Sequence, residues 1–465
     1  MVGNMAYNFG TLCLVLFSQT LIMGKKRIKK IQDYDGLYSL LHHYVSFVMK
    51  LSYSKIVHVG KENIPTDGAI IFAPNHTNTL MDALVALNID LNPKVFVARA
   101  DIFRNRKLAK ILTFLKIMPI MRQRDGFNAV KKNQEIINKS VDVLKDKVPF
   151  CIFPEGTHQA KYSLLPLSKG IFRIALQAHE QMPQMPLYIV PMGLRYGDLF
   201  RYRSTVHLQI GEPINVGEFL AANAHLAPQE LMNSMKELLT ERLCSTIFYI
   251  PNDEEYDAKY EICNAAEPVE VEQLLKEKTT AKLPRPEMQF RANNNTLKRI
   301  EALKNSAPEK AEKLLELGKE ASRLRTAKGI DVESVAASRP LLSRMARILL
   351  TLVTLPYSLA SSLLASPVVF INKFLFTKLK DRAFRNSVRF LLNLFVWPLL
   401  VIVYSIVAFV QLPWMWALFA MLLMMPAPYV SHELWKTFRL VASDVKLLRE
   451  NRLQKIYSQI REIIK

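Results

Sequence analysis

Ile70-Ile71-Phe72-Ala73-Pro74-Asn75-His76-Thr77-Asn78-Thr79-Leu80-Met81-Asp82 is the stretch on which the reading of this 465-residue chain turns. Its apolar head is bounded by Thr66-Asp67-Gly68 and by Pro74-Asn75, so length and flanking breakers argue a buried strand rather than a helix. Thr77, Asn78 and Thr79 then offer side-chain oxygens to cap a helix whose apolar face is Leu80, Met81, Ala83, Leu84 and Leu87. Strand, polar turn and helix in that order put His76 at a strand's C-terminal end, where open α/β sheets keep their chemistry.

A neutral imidazole titrates near working pH, so it can take the proton of an alcohol as that oxygen attacks a carbonyl. An acid that accepts the other ring N–H fixes the tautomer and stabilises the imidazolium, and Asp82, six positions on, is the candidate. A histidine beside a turn is also a common structural residue. The rest of the chain has to decide between the two.

Further strands are predicted at Lys55–Gly60, at Val95–Ala98 ending on Arg99, and at Ile117–Met121 running into Arg122. Others are predicted at Val148–Phe153, stopping at Pro154-Glu155-Gly156-Thr157-His158, at Leu187–Gly193 and at Val206–Ile214. Helical patterns alternate with them, for example over 128–146. Such alternation argues an α/β fold with a largely parallel central sheet covered by helices on both faces. His76, Arg122 and Glu155 then share one rim. Cations at strand ends are ordinarily solvated charges, but beside a candidate base an arginine can hold a phosphate through two parallel hydrogen bonds. In the Glu-Gly-Thr turn, Gly156 lets backbone N–H groups approach an anion while Glu155 binds a hydroxyl or orders the site, unless the turn is simply a permissive connection.

The net charge is +21, and it is uneven. Residues 25–250 hold 30 Lys+Arg against 19 Asp+Glu and residues 341–465 hold 16 against 5, whereas 251–340 hold 16 against 17. The excess thus lies in the first half and around apolar C-terminal segments, which fits an anionic membrane surface and not a nucleic acid. Cys13, Cys151, Cys244 and Cys263 show neither Cys-x-x-Cys pairing nor histidines at zinc spacing, so reduced thiols and no metal are expected.

Taken together, Asn75-His76 with Asp82, the strand closing on Arg122, Phe153-Pro154-Glu155-Gly156-Thr157 and the later Val190-Pro191 resemble the four ordered blocks of the glycerolipid acyltransferases. Gly60-Lys61-Glu62-Asn63-Ile64-Pro65 and Pro166-Leu167-Ser168-Lys169-Gly170 are similar to that family too, and the likeness runs over roughly residues 55–215. It implies acyl transfer from a thioester of CoA or acyl carrier protein to a hydroxyl of glycerol-3-phosphate or lysophosphatidate in phospholipid synthesis, with no cofactor. His76 would be the general base and Asp82 its orienting acid. Asn75, Asn78, Arg99, Arg122, Glu155, Gly156, Thr157 and His158 make up the expected substrate-binding set. Two departures stand out. Five residues, Thr77 to Met81, separate His76 from Asp82 where the family usually has four, a variant resembling the fungal glycerol-3-phosphate and dihydroxyacetone-phosphate branch. The extra residue must be absorbed in the turn before the helix. His158 also stands where the family has an arginine.

Outside the blocks, residues 1–30 form an apolar segment with a basic flank after it, the wrong order for a secretory signal. Residues 31–250 are the expected catalytic domain, 251–340 a charged helical insert, 341–435 a membrane region and 436–465 a basic C-terminal helix. Within the membrane region, 390–410 and 412–430 each approach the ~20 residues a spanning helix needs, forming a hairpin. The stretch 348–376, interrupted by Pro356 and Pro367, reads as a kinked re-entrant or interfacial element. Basic residues at both ends of the hairpin place an integral membrane protein's catalytic domain on the cytoplasmic face. A chain ended near Arg339 is expected to keep a catalytic domain with its own core. A catalytically inactive membrane-anchored lipid-binding protein of the same fold is the alternative; a serine lipase is not, since no Gly-x-Ser-x-Gly elbow occurs.

Overall fold

The computed structural model describes residues 29–121, 129–337 and 341–465. Arg122, Cys13 and the N-terminal apolar segment through residue 28 lie outside the described residues. Eight strands within them form one sheet: β1 (Lys55–Val59), β2 (Ala69–Pro74), β3 (Val95–Arg99), β4 (Ile117–Ile120), β5 (Phe150–Cys151), β6 (Leu187–Tyr196), β7 (Thr205–Ile210) and β8 (Ile214–Asn215). Their order is β1-β7-β6-β2-β5-β3-β4, with β8 also on β6. Every pair is parallel except β6 with β7 and β6 with β8. The expected 206–214 strand is two strands, because the chain leaves the ladder at Gly211-Glu212-Pro213, and Pro213 has no N–H to donate.

β2 shows why the apolar run at 69–74 carries no polar alternation. It is flanked by β5 and β6, and every residue in it is buried. Successive side chains enter opposite cores. Ile70 and Phe72 pack with Val48, Met49, Met81 and Val85 on one face. Ala69, Ile71 and Ala73 pack with Val141, Leu144, Ile171, Ile174 and Leu239 on the other. Truncating a side chain such as Phe72 in so dense a layer costs ~3–5 kcal/mol. This rigid double-sided packing fixes the C-terminal end of β2, and with it His76.

Helices at Tyr256–Lys276, Arg285–Ser306, Pro308–Ala327 and Val332–Ala337 build the region after the sheet. Their core includes Ile262, Ala266, Ile300, Leu314 and Ala321, but also Leu453, Ile456, Tyr457, Ile460 and Ile464 from the terminal Asn451–Ile464 helix. Insert and C-terminus are therefore one helical unit. A chain ended near residue 339 loses the part of the insert's core that the terminal helix supplies.

The membrane region also differs from its sequence reading. Leu341–Leu364 is a continuous helix through Pro356, and Met345–Leu364 within it is long and apolar enough to span a bilayer. It packs along the Ala427–Arg449 helix, and Ser366–Lys378 follows as a separate helix. Phe384–Gln411 is the second such helix. The expected second arm of the hairpin is broken: Trp414–Met424 and Ala427–Arg449 meet at 48° around Pro426, together passing the same test. The described residues thus hold two helices long and apolar enough to cross a membrane, or three with the bent pair. The expected boundary at 435 falls inside a helix.

Candidate active site

His76 leaves β2 two residues after its end, and its backbone is held at both polar atoms. Its N–H donates to Glu155 Oε1 at 2.6 Å, and its carbonyl accepts from Gln159 N at 3.2 Å. The Phe153 ring stacks on the imidazole at a 4.2 Å centroid distance. Imidazole Nδ1 lies 2.8 Å from Asp82 Oδ2. Since that carboxylate only accepts, Nδ1 carries the proton and Nε2 presents its lone pair. The side chain is 18% exposed, so Nε2 is reachable.

Asp82 is fully buried and has four donors. Oδ2 accepts from the His76 ring and from the backbone N–H groups of Thr77 (2.8 Å) and Asn78 (2.6 Å), and Oδ1 accepts from Tyr196 Oη at 2.6 Å. A buried charge is tolerable only when so satisfied. Burial and the neighbouring Asp82 charge hold the Tyr196 phenol well above its ordinary value, so it remains a donor. Between His76 and Asp82 the chain turns at Thr79, whose φ of 51° and ψ of −123° stand just before the Leu80–Leu87 helix. For a β-branched residue that conformation is strained, at a cost on the order of 1–3 kcal/mol. Asp82 sits in the helix's first turn, where the helix dipole favours its negative charge.

The remaining predicted residues fall into two groups. Glu155 lies against His76, but as a brace: its second oxygen accepts from Leu165 N at 2.8 Å. Burial pushes its carboxyl up to about 8, against the pull of those two amide donors. Gly156 has φ +67°, a conformation that favours glycine, and it and Thr157 face solvent at the rim. His158 stands edge-on to His76 at 5.5 Å and is bonded to Asp381 Oδ2 at 2.8 Å. Asn75 and Asn78 do not face the cleft. Asn75 clamps Leu194 through both its N–H (2.6 Å) and carbonyl (3.3 Å), and Asn78 Nδ2 donates to Leu199 O at 3.1 Å. Arg99, at the end of β3, is exposed and paired with Asp101.

Several participants were not read from the sequence. Tyr196 closes β6 three residues past the expected strand end. Asp381, Phe384 and Ser387 arrive from the membrane region: Phe384 packs edge-on against His158, and Ser387 Oγ is 2.8 Å from Thr79 Oγ1. Only the dense cationic run around them marked that connector as unusual. Among the described residues no three His, Cys, Asp or Glu side chains converge as metal ligands would.

An acyltransferase family model matches residues 55–195, the span that contains His76, Asp82, Glu155 and β6 to Arg195. The chain is 27% identical over 188 residues to the 1-acyl-sn-glycerol-3-phosphate acyltransferase of Bacillus subtilis, covering 39% of this chain and 83% of that protein. It is 30% identical over 139 residues to glycerol-3-phosphate O-acyltransferase 2 of Saccharomyces cerevisiae, covering 30% of this chain and only 19% of the yeast protein. The crystal structure of a 1-acyl-sn-glycerophosphate acyltransferase from Thermotoga maritima aligns with a TM-score of 0.34 at 20% identity, over 51% of this chain and 92% of that one. Family match, the ordered blocks and a dyad just past the end of β2 agree: residues 55–195 form an acyltransferase domain, similar in sequence to 1-acyl-sn-glycerol-3-phosphate and glycerol-3-phosphate acyltransferases.

Proposed function

We propose that the protein transfers a fatty acyl group from a soluble thioester, of CoA or acyl carrier protein, to a hydroxyl of glycerol-3-phosphate or lysophosphatidate. The observation that carries this reading is the 2.8 Å bond from His76 Nδ1 to Asp82. With Nδ1 committed as donor, Nε2 takes the acceptor's hydroxyl proton while the oxygen attacks the thioester carbonyl. The tetrahedral intermediate collapses by breaking the C–S bond, and the imidazolium returns its proton to the departing sulfur. The protein needs no acyl-enzyme: burial raises the Cys151 thiol on β5, so the inert thiol stays protonated.

Arg122, Arg99 and the exposed Gly156-Thr157 turn are the groups we assign to the acceptor phosphate. We place the catalytic domain on the cytoplasmic face, a reading supported by the Lys and Arg residues flanking the apolar helices. Purified protein assayed with palmitoyl thioesters of both carriers against each acceptor tests the reading. Ester formation dependent on His76 supports it, and turnover undiminished in His76→Ala refutes it.

A further inference from the structure

The helix Phe384–Leu391 has two working faces. Through Ser387 and Asn386 it is tied to the catalytic domain: Ser387 meets Thr79, and Asn386 Nδ2 donates at 2.9 Å to the Leu199 carbonyl that also accepts from Asn78. Arg385 and Arg389, one helical turn apart, lie elsewhere on it. With Arg382 and Arg439 they line a cavity of about 200 Å³. An adjoining cavity of about 330 Å³ shares Arg389, Arg439, Tyr202 and His432 and is walled by Val368, Val369, Phe376 and Trp435.

The charge in the smaller cavity is only partly compensated from within the protein, five arginines lining it against one carboxylate, Asp198. None of Arg382, Arg385, Arg389 and Arg439 has a carboxylate partner among the described residues. Asp198, the carboxylate on the cavity wall, pairs with Arg201, which is itself tied to Asp331 and Glu333. Arg385 Nε is buried without a hydrogen-bond partner. Arg389 reaches only the Phe200 carbonyl at 3.4 Å and Asn386 Oδ1 at 3.3 Å, both long bonds. Arg385 and Arg389 lie over the same Phe376 ring, and Arg382 over Phe200. Aromatic faces pin the guanidinium planes while leaving their N–H edges for a ligand. Like charges gathered in excess over counterions favour an anion, and planar guanidiniums favour phosphate. The apolar chamber beside them, at the root of the two long apolar helices, calls for a hydrocarbon chain on that anion.

We propose that this is a binding site for a phosphomonoester lipid, with the phosphate on Arg385, Arg389, Arg439 and Arg382 and the acyl chain in the apolar cavity. The inference stands apart from the catalytic reading, since no residue of the dyad takes part. Occupancy would steady the helix that holds the Thr79 turn.

The test uses the full-length protein in detergent, following its unfolding midpoint. Lysophosphatidate, lysophosphatidylcholine of equal chain length, inorganic phosphate and CoA are compared at matched concentration. Lysophosphatidate is expected to raise the midpoint by several degrees, lysophosphatidylcholine not at all, and phosphate or CoA by less than half as much. In Arg385→Gln/Arg439→Gln most of that rise is lost, while the ligand-free midpoint is unchanged or higher because like-charge repulsion has been relieved. Arg122→Gln, which removes a cation assigned to the catalytic acceptor phosphate, keeps the full rise. The proposal is overturned by an equal response to lysophosphatidylcholine, by a double variant that responds like wild type, or by one whose ligand-free midpoint falls. A CoA response matching lysophosphatidate would assign the cations to the acyl donor, and loss of the rise in Arg122→Gln would move the lipid to the catalytic centre; either overturns it.

Discussion

Thr79 and Ser387, 308 positions apart in the chain, share a 2.8 Å hydroxyl–hydroxyl hydrogen bond that ties the catalytic turn to the first helix of the membrane hairpin. Thr79 is also the residue of that turn with a positive φ, between His76 and Asp82. Ser387→Ala should therefore loosen the turn and lower kcat several-fold with little change in KM, at a stability loss of ~0.5–1.5 kcal/mol for one neutral hydrogen bond. Steady-state kinetics and denaturant unfolding of the variant check both; a KM effect alone would place Ser387 in substrate binding.

Asp82→Asn preserves shape but presents an amide where three donors converge on Oδ2. The imidazole then loses its tautomer control, and kcat should fall on the order of 10²–10⁴-fold with acceptor KM nearly unchanged. Tyr196→Phe removes only the donor to Oδ1. A loss below about tenfold is expected there, in keeping with one hydrogen bond to a charged group.

Glu155 links stability to pH. Its folded carboxyl is pushed by burial from the ordinary 4.5 up to about 8, so the folded state binds this proton more tightly than the unfolded state does. The resulting stabilisation is fully present below about 4.5 and is lost as pH rises through about 8. Urea midpoints measured from pH 4.5 to 9 should decline in the wild type. Glu155→Gln should flatten that component while being less stable at every pH by ~1–3 kcal/mol, because one of the His76 and Leu165 N–H groups then faces an NH₂.

Cys151→Ser should leave turnover within about twofold, since a raised, buried thiol cannot serve as nucleophile. A trapped thioester adduct on Cys151 would contradict direct attack.

What could be read in the sequence was local. The β2 strand, its turn and the helix after it follow from an apolar run and capping residues within a short window, and the His76–Asp82 pair lies inside that window. Glu155 was also legible as a site residue, though its contact is with the His76 backbone. Tyr196 was not, because its partnership with Asp82 arises from β2 and β6 lying side by side, 114 positions apart in sequence. Asp381, Phe384 and Ser387 were hidden for a related reason: a basic connector looks like a membrane flank until its helix is seen resting on the catalytic turn. The second arm of the hairpin misled because hydropathy continues through Pro426, whereas the helix axis does not.

The central claim is that Nε2 of His76 takes the acceptor proton. Acyl transfer from palmitoyl thioester to glycerol-3-phosphate and to lysophosphatidate, compared between wild type and His76→Ala at equal folded concentration, tests it most directly. The account predicts ester formation by the wild type on at least one acceptor and a fall in kcat on the order of 10²–10⁴-fold in the variant. A His76→Ala protein that turns over at near wild-type rate would contradict it.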